Sequence, residues 1–303
     1  MKLAVEFPSV AYREGGAKVL ELAKAIEDMG YDEIAVFDHV VMGYPTETRY
    51  APMYPPQMPI IEAFMLMAYC AAATQRVSLS TEVLILPQRQ PVLVAKQVSS
   101  LDTLSGGRVR LGVGIGWQEA EYDVLGESFT NRGKRMDEAI EVMRAYWGDA
   151  RVDLGGRYYP ADGIAMEPKP PQGAALPIWI GGTSEPALRR TARLGDGWMG
   201  GGMGDDEARQ ALVDLARYAE EYGRDPATIG RQMMLASPPR DAAGKTFYSD
   251  ADRVVKRAED IAAMGFEWTA LNATAMFQAG ARSVNAIIDQ LGLLHGRLRD
   301  AVG

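Results

Sequence analysis

Residues 91–117 read PVLVAKQVSSLDTLSGGRVRLGVGIGW, and this stretch decides the fold. Pro91 suits the first turn of a helix, where its missing N–H costs nothing. Ser105-Gly106-Gly107 can then end that helix in a left-handed turn. The apolar run Val109 to Val113 follows directly and has the composition of a buried strand. The stretch is therefore predicted to form a helix, a turn and a strand in succession.

The same alternation of short apolar runs and longer helical patterns occurs eight times along the chain. The predicted strands are Leu3 to Phe7, Glu33 to Phe37, Val77 to Leu86, Val109 to Val113, Pro177 to Ile180, Gly197 to Met199, about Gln232 to Ala236, and Trp268 to Leu271. The predicted helices are about Gly16 to Met29, Ile61 to Thr74, Pro91 to Leu104, Arg132 to Trp147, Glu185 to Leu194, Asp206 to Tyr222, Asp250 to Met264, and Ala281 to Leu294. Eight such units in 303 residues predict an α/β fold of the (β/α)8 TIM-barrel type, with residues 1–303 as one domain.

Composition excludes several classes of protein. With 47% hydrophobic and 24% charged residues the chain is neither disordered nor fibrous, and a net charge of -8 disfavours nucleic acid as a partner. The two histidines, His39 and His295, are too few and too far apart for a histidine-rich metal site, so we predict no metal. Glu6 and Pro8 interrupt any signal-peptide core, and no apolar window is long enough to span a membrane. A cytoplasmic protein is predicted.

Three connections are too long to be simple turns, which predicts insertion loops after strands 2, 4 and 7 of the barrel. They are Gly43 to Pro59, Gly148 to Leu176 and Ser237 to Ser249. Long loops in a compact fold often bind ligands or cover a site. The first, which contains Tyr44, Tyr50, Met53, Tyr54 and Met58, is either a lid over the site or a structural or subunit-contact loop. The second contains Gly155 to Pro160, which is typical of a short hairpin.

Phe37-Asp38-His39 ends the second predicted strand. In a TIM barrel this end of the strand faces the active site. His39 could donate or accept a proton near neutral pH, and Asp38 could orient its ring or hold it charged. Alternatively, His39 is a structural residue whose ring is satisfied by backbone partners.

The third predicted strand, Val77 to Leu86, would place Ser78, Ser80 and Glu82 on one face. A carboxylate inside such a strand must be paired, protonated or directed to the mouth of the site. Glu82 is therefore a candidate functional residue, unless it forms an ion pair with Arg89 or another buried cation.

Gly112, Gly114 and Gly116 begin like a dinucleotide-binding fingerprint, but Trp117 stands where that motif needs its last glycine. The Rossmann interpretation therefore fails. The glycines would instead let a flat ring approach the end of the strand, with Trp117 at the edge of that ring.

Residues 178–186 read IWIGGTSEP, a strand followed by two glycines, a helix-capping candidate in Ser184 and a proline in the first helical turn. Free N–H groups at such a helix start can bind an anion. Gly200 to Gly202 follows the next strand. Each glycine cluster alone could be a tight turn, but two in successive loops favour a ligand that carries a phosphate.

Four blocks in this order resemble the luciferase-like monooxygenase superfamily: residues 37–39 (FDH), 81–87 (TEVLILP), 104–117 (LSGGRVRLGVGIGW) and 179–198 (WIGG to GDGW). The chain is most similar to F420-dependent oxidoreductases of actinobacterial type. The resemblance implies a homodimeric TIM-barrel enzyme that binds coenzyme F420, a deazaflavin, or FMN, a flavin, in the barrel mouth.

The resemblance also assigns residues by position. His39, Asp38 and Glu82 would be catalytic, with His39 moving a proton, and the Glu82–Val83 peptide bond would be cis. The cofactor would be held by Asp38, Thr81, Glu82, Val83, Gly114, Gly116, Trp117, Gly181, Gly182, Thr183 and Ser184. Trp117 replaces the glutamate that the family's sugar-phosphate dehydrogenases use, which disfavours sugar-phosphate oxidation.

The predicted function is thus an oxidoreductase that transfers a hydride between F420 and a small organic substrate. One alternative is an FMN-dependent monooxygenase, and another is a flavin or deazaflavin binder without catalytic activity.

Overall fold

A computed structural model describes residues 1–8, 11–49, 54–236 and 246–303, and in it eight parallel strands close into a barrel. The barrel strands are β1 (Lys2–Glu6), β2 (Glu33–Val36), β3 (Ser78–Thr81), β5 (Val109–Gly114), β8 (Ile178–Gly181), β9 (Gly197–Gly200), β10 (Gly230–Met234) and β11 (Trp268–Asn272). They pair in chain order, and β11 pairs with β1 to complete the circle. The predicted TIM barrel is confirmed.

Helices surround the barrel. They are α1 (Gly16–Met29), α2 (Ala63–Ala71), α3 (Pro91–Ser105), α4 (Glu119–Val124), α5 (Arg132–Gly148), α6 (Glu185–Leu194), α7 (Asp205–Glu221), α8 (Ala251–Ala263), α9 (Ala273–Gln278) and α10 (Val284–Val302). The helix predicted from Ile61 is shorter than expected, and the last helix begins later and runs farther than expected. The short helices α4 and α9 were not predicted, because six residues are too few to show a helical period.

The stretch that decides the fold forms the predicted elements. Pro91 lies in the first turn of α3, and Gly106 ends that helix with a φ of 74°, in the left-handed region. Leu111 and Val113 in β5 are fully buried. Close packing on both faces of the strand explains its continuous apolar run.

The third strand differs from the prediction. A single strand from Val77 to Leu86 was expected, but the structure has β3 and a separate two-residue strand, β4 (Leu84–Ile85). The interruption falls at the Glu82–Val83 peptide bond, which is cis, as the resemblance implies. Glu82 therefore follows the end of β3 instead of lying within a strand.

An ion pair fills the lower end of the barrel, where the strands begin. The guanidinium of Arg110 donates from Nε to Oε2 of Glu33 at 2.8 Å, and its Nη2 contacts the other oxygen of the same carboxylate. The guanidinium also lies 4.1 Å from the ring centre of Trp179 and 4.5 Å from that of Trp268. Ion pairing and cation–π contacts thus stabilise a buried charge at this end.

The predicted hairpin is present as β6 (Val152–Leu154) paired with β7 (Ala161–Ile164). It lies between α5 and β8, so it follows the helix of the fourth unit and not the fourth strand itself. Part of the other two long loops, including Tyr50, Met53 and residues 237–245, lies outside the described residues. Among the described residues, no helix is both long and apolar enough to cross a membrane.

Candidate active site at the barrel mouth

A cavity of about 290 Å³ opens at the carboxyl ends of β2, β3, β5 and β8. This volume lies at the lower end of the range for small-molecule sites. The cavity brings together residues from four separate sequence motifs. Its lining consists of Phe37, Asp38, His39, Tyr54, Glu82, Val83, Ile85, Gly114, Ile115, Gly116, Trp117, Gly181 and Gly182.

His39 is held by Glu121, a residue of α4. The Nδ1 atom of His39 lies 3.0 Å from Oε2 of Glu121, and both side chains are buried. The other oxygen of Glu121 accepts from the backbone N–H of Val40 at 2.6 Å and of Val41 at 3.2 Å. One carboxylate therefore fixes both the histidine ring and the backbone that follows it.

The protonation of this pair follows from its contacts. Burial alone would raise the pKa of Glu121, but the hydrogen bond and charge of His39 and the N–H of Val40 lower it below its usual value. An ionised carboxylate only accepts hydrogen bonds, so Nδ1 of His39 must be the donor. This leaves Nε2 as the nitrogen that can gain or lose a proton.

Asp38 has a different role from the one the sequence suggests. It was expected to orient His39, but its Oδ1 accepts from Nη2 of Arg89 at 2.8 Å and its Oδ2 from the N–H of Ile85 at 3.2 Å. Arg89 also bonds Glu62, the residue that caps α2. Asp38 thus joins the end of β2 to neighbouring elements, and the predicted orienting role belongs to Glu121.

Helix α4 also anchors the start of the loop predicted as a lid. Gln118 accepts from the N–H of Gly43 at 2.6 Å and donates to the carbonyl of Val41 at 2.9 Å. Farther along the same loop, Tyr54 lies over the cavity and is half-buried. The loop therefore contributes a wall of the site.

Aromatic rings form the walls beside His39. The ring of Tyr54 stacks on Phe37 with centres 5.8 Å apart and meets the His39 ring edge-on at the same distance. Trp117 meets His39 edge-on at 5.3 Å and is 42% exposed. The imidazole is thus confined between two rings that leave room for a flat ligand.

The glycines beside the cavity accommodate Val83. A Cβ on Gly114 would lie 2.6 Å from Cγ2 of Val83, and one on Gly181 would lie 2.9 Å from its Cγ1. Gly114 was expected to let a ligand ring approach, and Gly181 to help hold a phosphate. In the structure, the space that the absent side chains of both glycines leave is occupied by Val83, which lies between β3 and β4.

Glu82 does not pair with Arg89. Its Oε1 accepts from Nε2 of Gln232 at 2.9 Å, and its Oε2 is buried without a hydrogen-bond partner among the described residues. Burial raises the pKa of Glu82 to about 7, although the charge of Arg110 lowers it. The neighbouring Thr81 does not line the cavity. Its hydroxyl donates a hydrogen bond to the carbonyl of Gly112 at 2.5 Å.

The predicted anion site lies next to the cavity. Ser184 precedes α6 in the N-cap position, but its side chain makes no capping bond, and Thr183 and Ser184 are exposed outside the cavity lining. The carbonyl of Gly182 accepts from Nε1 of the buried Trp198 at 2.8 Å, which fixes the loop from below. The start of α6 is therefore accessible to a ligand group that extends beyond the cavity.

Most of the lining residues were predicted from the sequence, but Glu121 and Gln118, which hold the lining from outside, were not. The spacing of Gln118 and Glu121, three residues apart just after a barrel strand, was an available signal because it puts both on one face of a helical turn. Among the described residues, no three His, Cys, Asp or Glu side chains are grouped to hold a metal ion.

The chain is similar to several known proteins. A profile of the luciferase-like monooxygenase family matches residues 3–288. An uncharacterised protein of Mycobacterium bovis is 38% identical over 213 residues, which cover 68% of this chain and 72% of that protein. The pyrimidine monooxygenase RutA of Allorhizobium ampelinum is 29% identical over 222 residues, which cover 70% of this chain and 58% of that protein.

Among solved structures, an F420-dependent secondary alcohol dehydrogenase in complex with an F420-acetone adduct superposes with a TM-score of 0.79. The match covers 99% of each chain at 22% sequence identity. At this identity the likeness establishes the fold.

Proposed function

The chain belongs to the luciferase-like monooxygenase family, and we propose that it is an F420-dependent oxidoreductase acting on a small organic substrate. The observation that carries the proposal is the buried His39–Glu121 pair at the edge of a ring-sized cavity. Two-electron oxidation of an alcohol, or the reverse reduction, requires a proton to move together with the hydride. His39 lines the cavity and has a side chain suited to that task near neutral pH.

The residues present fit a planar cofactor. The cavity walls are aromatic and aliphatic, its rim has glycines at Gly116 and Gly182, and the start of α6 offers backbone N–H groups for a phosphate. When bound, F420 would supply the hydride chemistry at its ring. Val83, Gly114 and Trp117 would line the ring, and Gly181 to Ser184 would hold the phosphate.

Within this proposal His39 accepts the substrate proton through Nε2, or donates it in the reverse direction. The carboxylate of Glu121 keeps Nδ1 protonated and stabilises the imidazolium while the proton is held. Asp38 positions the end of β2 through Arg89 and makes no direct bond to the histidine. Tyr54 and Trp117 restrict the access of water to the imidazole.

A second candidate is an FMN-dependent monooxygenase. It is favoured by the likeness to the pyrimidine monooxygenase, which is 29% identical over 70% of this chain. The same cavity would serve, but the reaction would consume oxygen. A cytoplasmic homodimer remains a prediction from the sequence.

Equilibrium titration of the purified protein with F420 and with FMN, followed by ligand fluorescence, tests the proposal. We expect F420 to bind more tightly than FMN, and the F420 complex to be oxidised or reduced by a member of a panel of alcohols, ketones and enones. Equal or tighter FMN binding, with oxygen consumption by the reduced complex, would identify the monooxygenase. Tight F420 binding without turnover on the panel would identify a binder.

A further inference from the structure

Two buried carboxyl groups belong to the mouth end of the barrel, and the proposed mechanism uses neither of them. Glu6 is the last residue of β1 and is buried. Glu82 follows β3 and lines the cavity. Burial raises the pKa of Glu6 well above its usual value, and the charge of Glu82 adds to this effect.

Each carboxyl receives one hydrogen bond from a neutral amide. Nδ2 of Asn272 donates to Glu6 at 3.0 Å, while Oδ1 of Asn272 accepts from the N–H of Ala275. Nε2 of Gln232 donates to Glu82 at 2.9 Å, while its Oε1 accepts from Arg110 at 2.6 Å. Because the second bond of each amide fixes its orientation, neither amide can turn to offer an oxygen instead.

In the part of the chain that the structure describes, no cation pairs directly with either carboxyl. Among the described residues, neither Glu6 nor Glu82 has a Lys, Arg or His nitrogen within 4.0 Å, and Oε2 of Glu82 is buried without a donor. Two buried negative charges at one place are costly, and a single proton removes one charge and supplies the missing donor.

The groups that face this pair from the surrounding elements do not change that balance. They are Glu33 on β2, Ser80 on β3, Arg110 on β5, Gln232 on β10, Asn272 on β11, Tyr54 in the loop after β2, and Tyr248 in the turn before α8. Glu33 and Arg110 neutralise each other. Burial and the charges of Glu6 and Glu82 raise the pKa of both tyrosines, which therefore stay neutral.

We propose that Glu6 and Glu82 together hold one proton, and that the cavity binds a flat neutral or anionic ring only while this proton is present. A ring that closes the cavity removes water from above Glu82 and makes a second negative charge still less favourable. Binding above neutral pH must therefore take up one proton from solvent. The proposal rests on the proposed function only for the identity of the ring.

The first test needs no cofactor. Carbon-13 NMR of protein labelled at the glutamate side-chain carboxyls follows their titration directly. We expect one protonated glutamate to lose its proton near neutral pH, and this signal to be absent from the Glu6→Gln/Glu82→Gln protein. Glu119→Gln removes an exposed carboxyl of α4 outside the cavity lining, and this control should retain the signal.

The second test measures the Kd of F420 and of FMN between pH 5.5 and 8.5 on the same proteins. For whichever ring binds, we expect the Kd to rise by up to about tenfold per pH unit above neutrality in the wild type and in Glu119→Gln. In the double variant both substituted side chains are neutral at every pH, so this rise in Kd should disappear. Melting temperatures confirm that all variants are folded.

Three results would overturn the proposal. They are a wild type whose glutamates are all ionised at pH 6, a pH dependence of Kd that survives in the double variant, and failure of both rings to bind at any pH. Preferential binding of FMN with the expected pH dependence would contradict the proposed cofactor and still support the shared proton.

Discussion

Carboxylates lie inside the barrel at both ends, but the two ends partner them differently. At the lower end Glu33 is paired with Arg110, which is itself held between two tryptophan rings. At the upper end the partners of Glu6 and Glu82 among the described residues are neutral amides. The comparison suggests that charge is neutralised where the barrel is closed and left uncompensated where a ligand would enter.

The largest effect on stability is expected from removing the ion pair at the lower end of the barrel. Arg110→Leu would leave Glu33 buried without a cation, and we expect a loss of about 3–5 kcal/mol in the free energy of unfolding. Urea denaturation measures it. The variant Glu33→Leu/Arg110→Met removes both charges and should recover most of the loss. A loss below about 1 kcal/mol in Arg110→Leu would show that the two ends do not differ in this way.

The next effect concerns catalysis at the upper end. His39→Ala should leave the affinity for the cofactor within a few-fold of the wild type but lower the rate of single-turnover hydride transfer by about 10²-fold or more, because a positioned proton donor contributes that much. Glu121→Gln keeps the shape of the partner but removes its charge, and should lower the rate by roughly tenfold with a changed pH profile.

A purely structural His39 would give another pattern. Its removal would lower the melting temperature, while the folded fraction would transfer hydride at the wild-type rate. That result would exclude His39 from the mechanism.

A smaller effect is expected where Val83 packs against the strand glycines. Gly114→Ala would place a Cβ 2.6 Å from Cγ2 of Val83, so the valine must move toward the cavity. We expect a loss of about 1–3 kcal/mol in the free energy of unfolding, together with weaker cofactor binding. Gly155→Ala has no atom within 4 Å of the new Cβ and serves as the control. Equal behaviour of the two variants would contradict the packing role.

The smallest effect is a pH dependence of stability. The folded protein raises the pKa of both Glu6 and Glu82, so their contribution to stability is complete below the unfolded value of about 4.3. The contribution of Glu82 is lost as pH rises through about 7. Relative to the wild type, the Glu6→Gln/Glu82→Gln protein should gain about 2 °C or more in melting temperature at pH 8 compared with pH 5. A constant difference between the two proteins would indicate that neither pKa is raised.

The sequence predicts the barrel well because eight apolar runs and their helices repeat along the chain. It also predicts which motifs meet at the mouth, since His39, Glu82, Gly114 and Gly181 all lie at or just after strand ends. Only the resemblance, and not the pattern of residues, predicted the cis bond after Glu82.

The partners of these residues were not predictable in the same way. Asp38 was the expected partner of His39 because it is adjacent in sequence, but adjacent side chains point in different directions at the end of a strand. Glu121 reaches His39 only because the unpredicted helix α4 folds back over the mouth. Likewise, nothing in the sequence around Glu82 indicates that it accepts a hydrogen bond from Gln232, which is 150 residues away.

The location of the ring is the central claim, and a crystal structure of the protein grown with F420 tests it most directly. The account predicts that the deazaflavin ring lies in the cavity between Trp117 and Val83, within reach of Nε2 of His39, with its phosphate at Gly181 to Ser184. A ring bound instead in the separate cavity lined by Met233, Phe247 and Lys256, or a phosphate held away from the start of α6, would contradict the account.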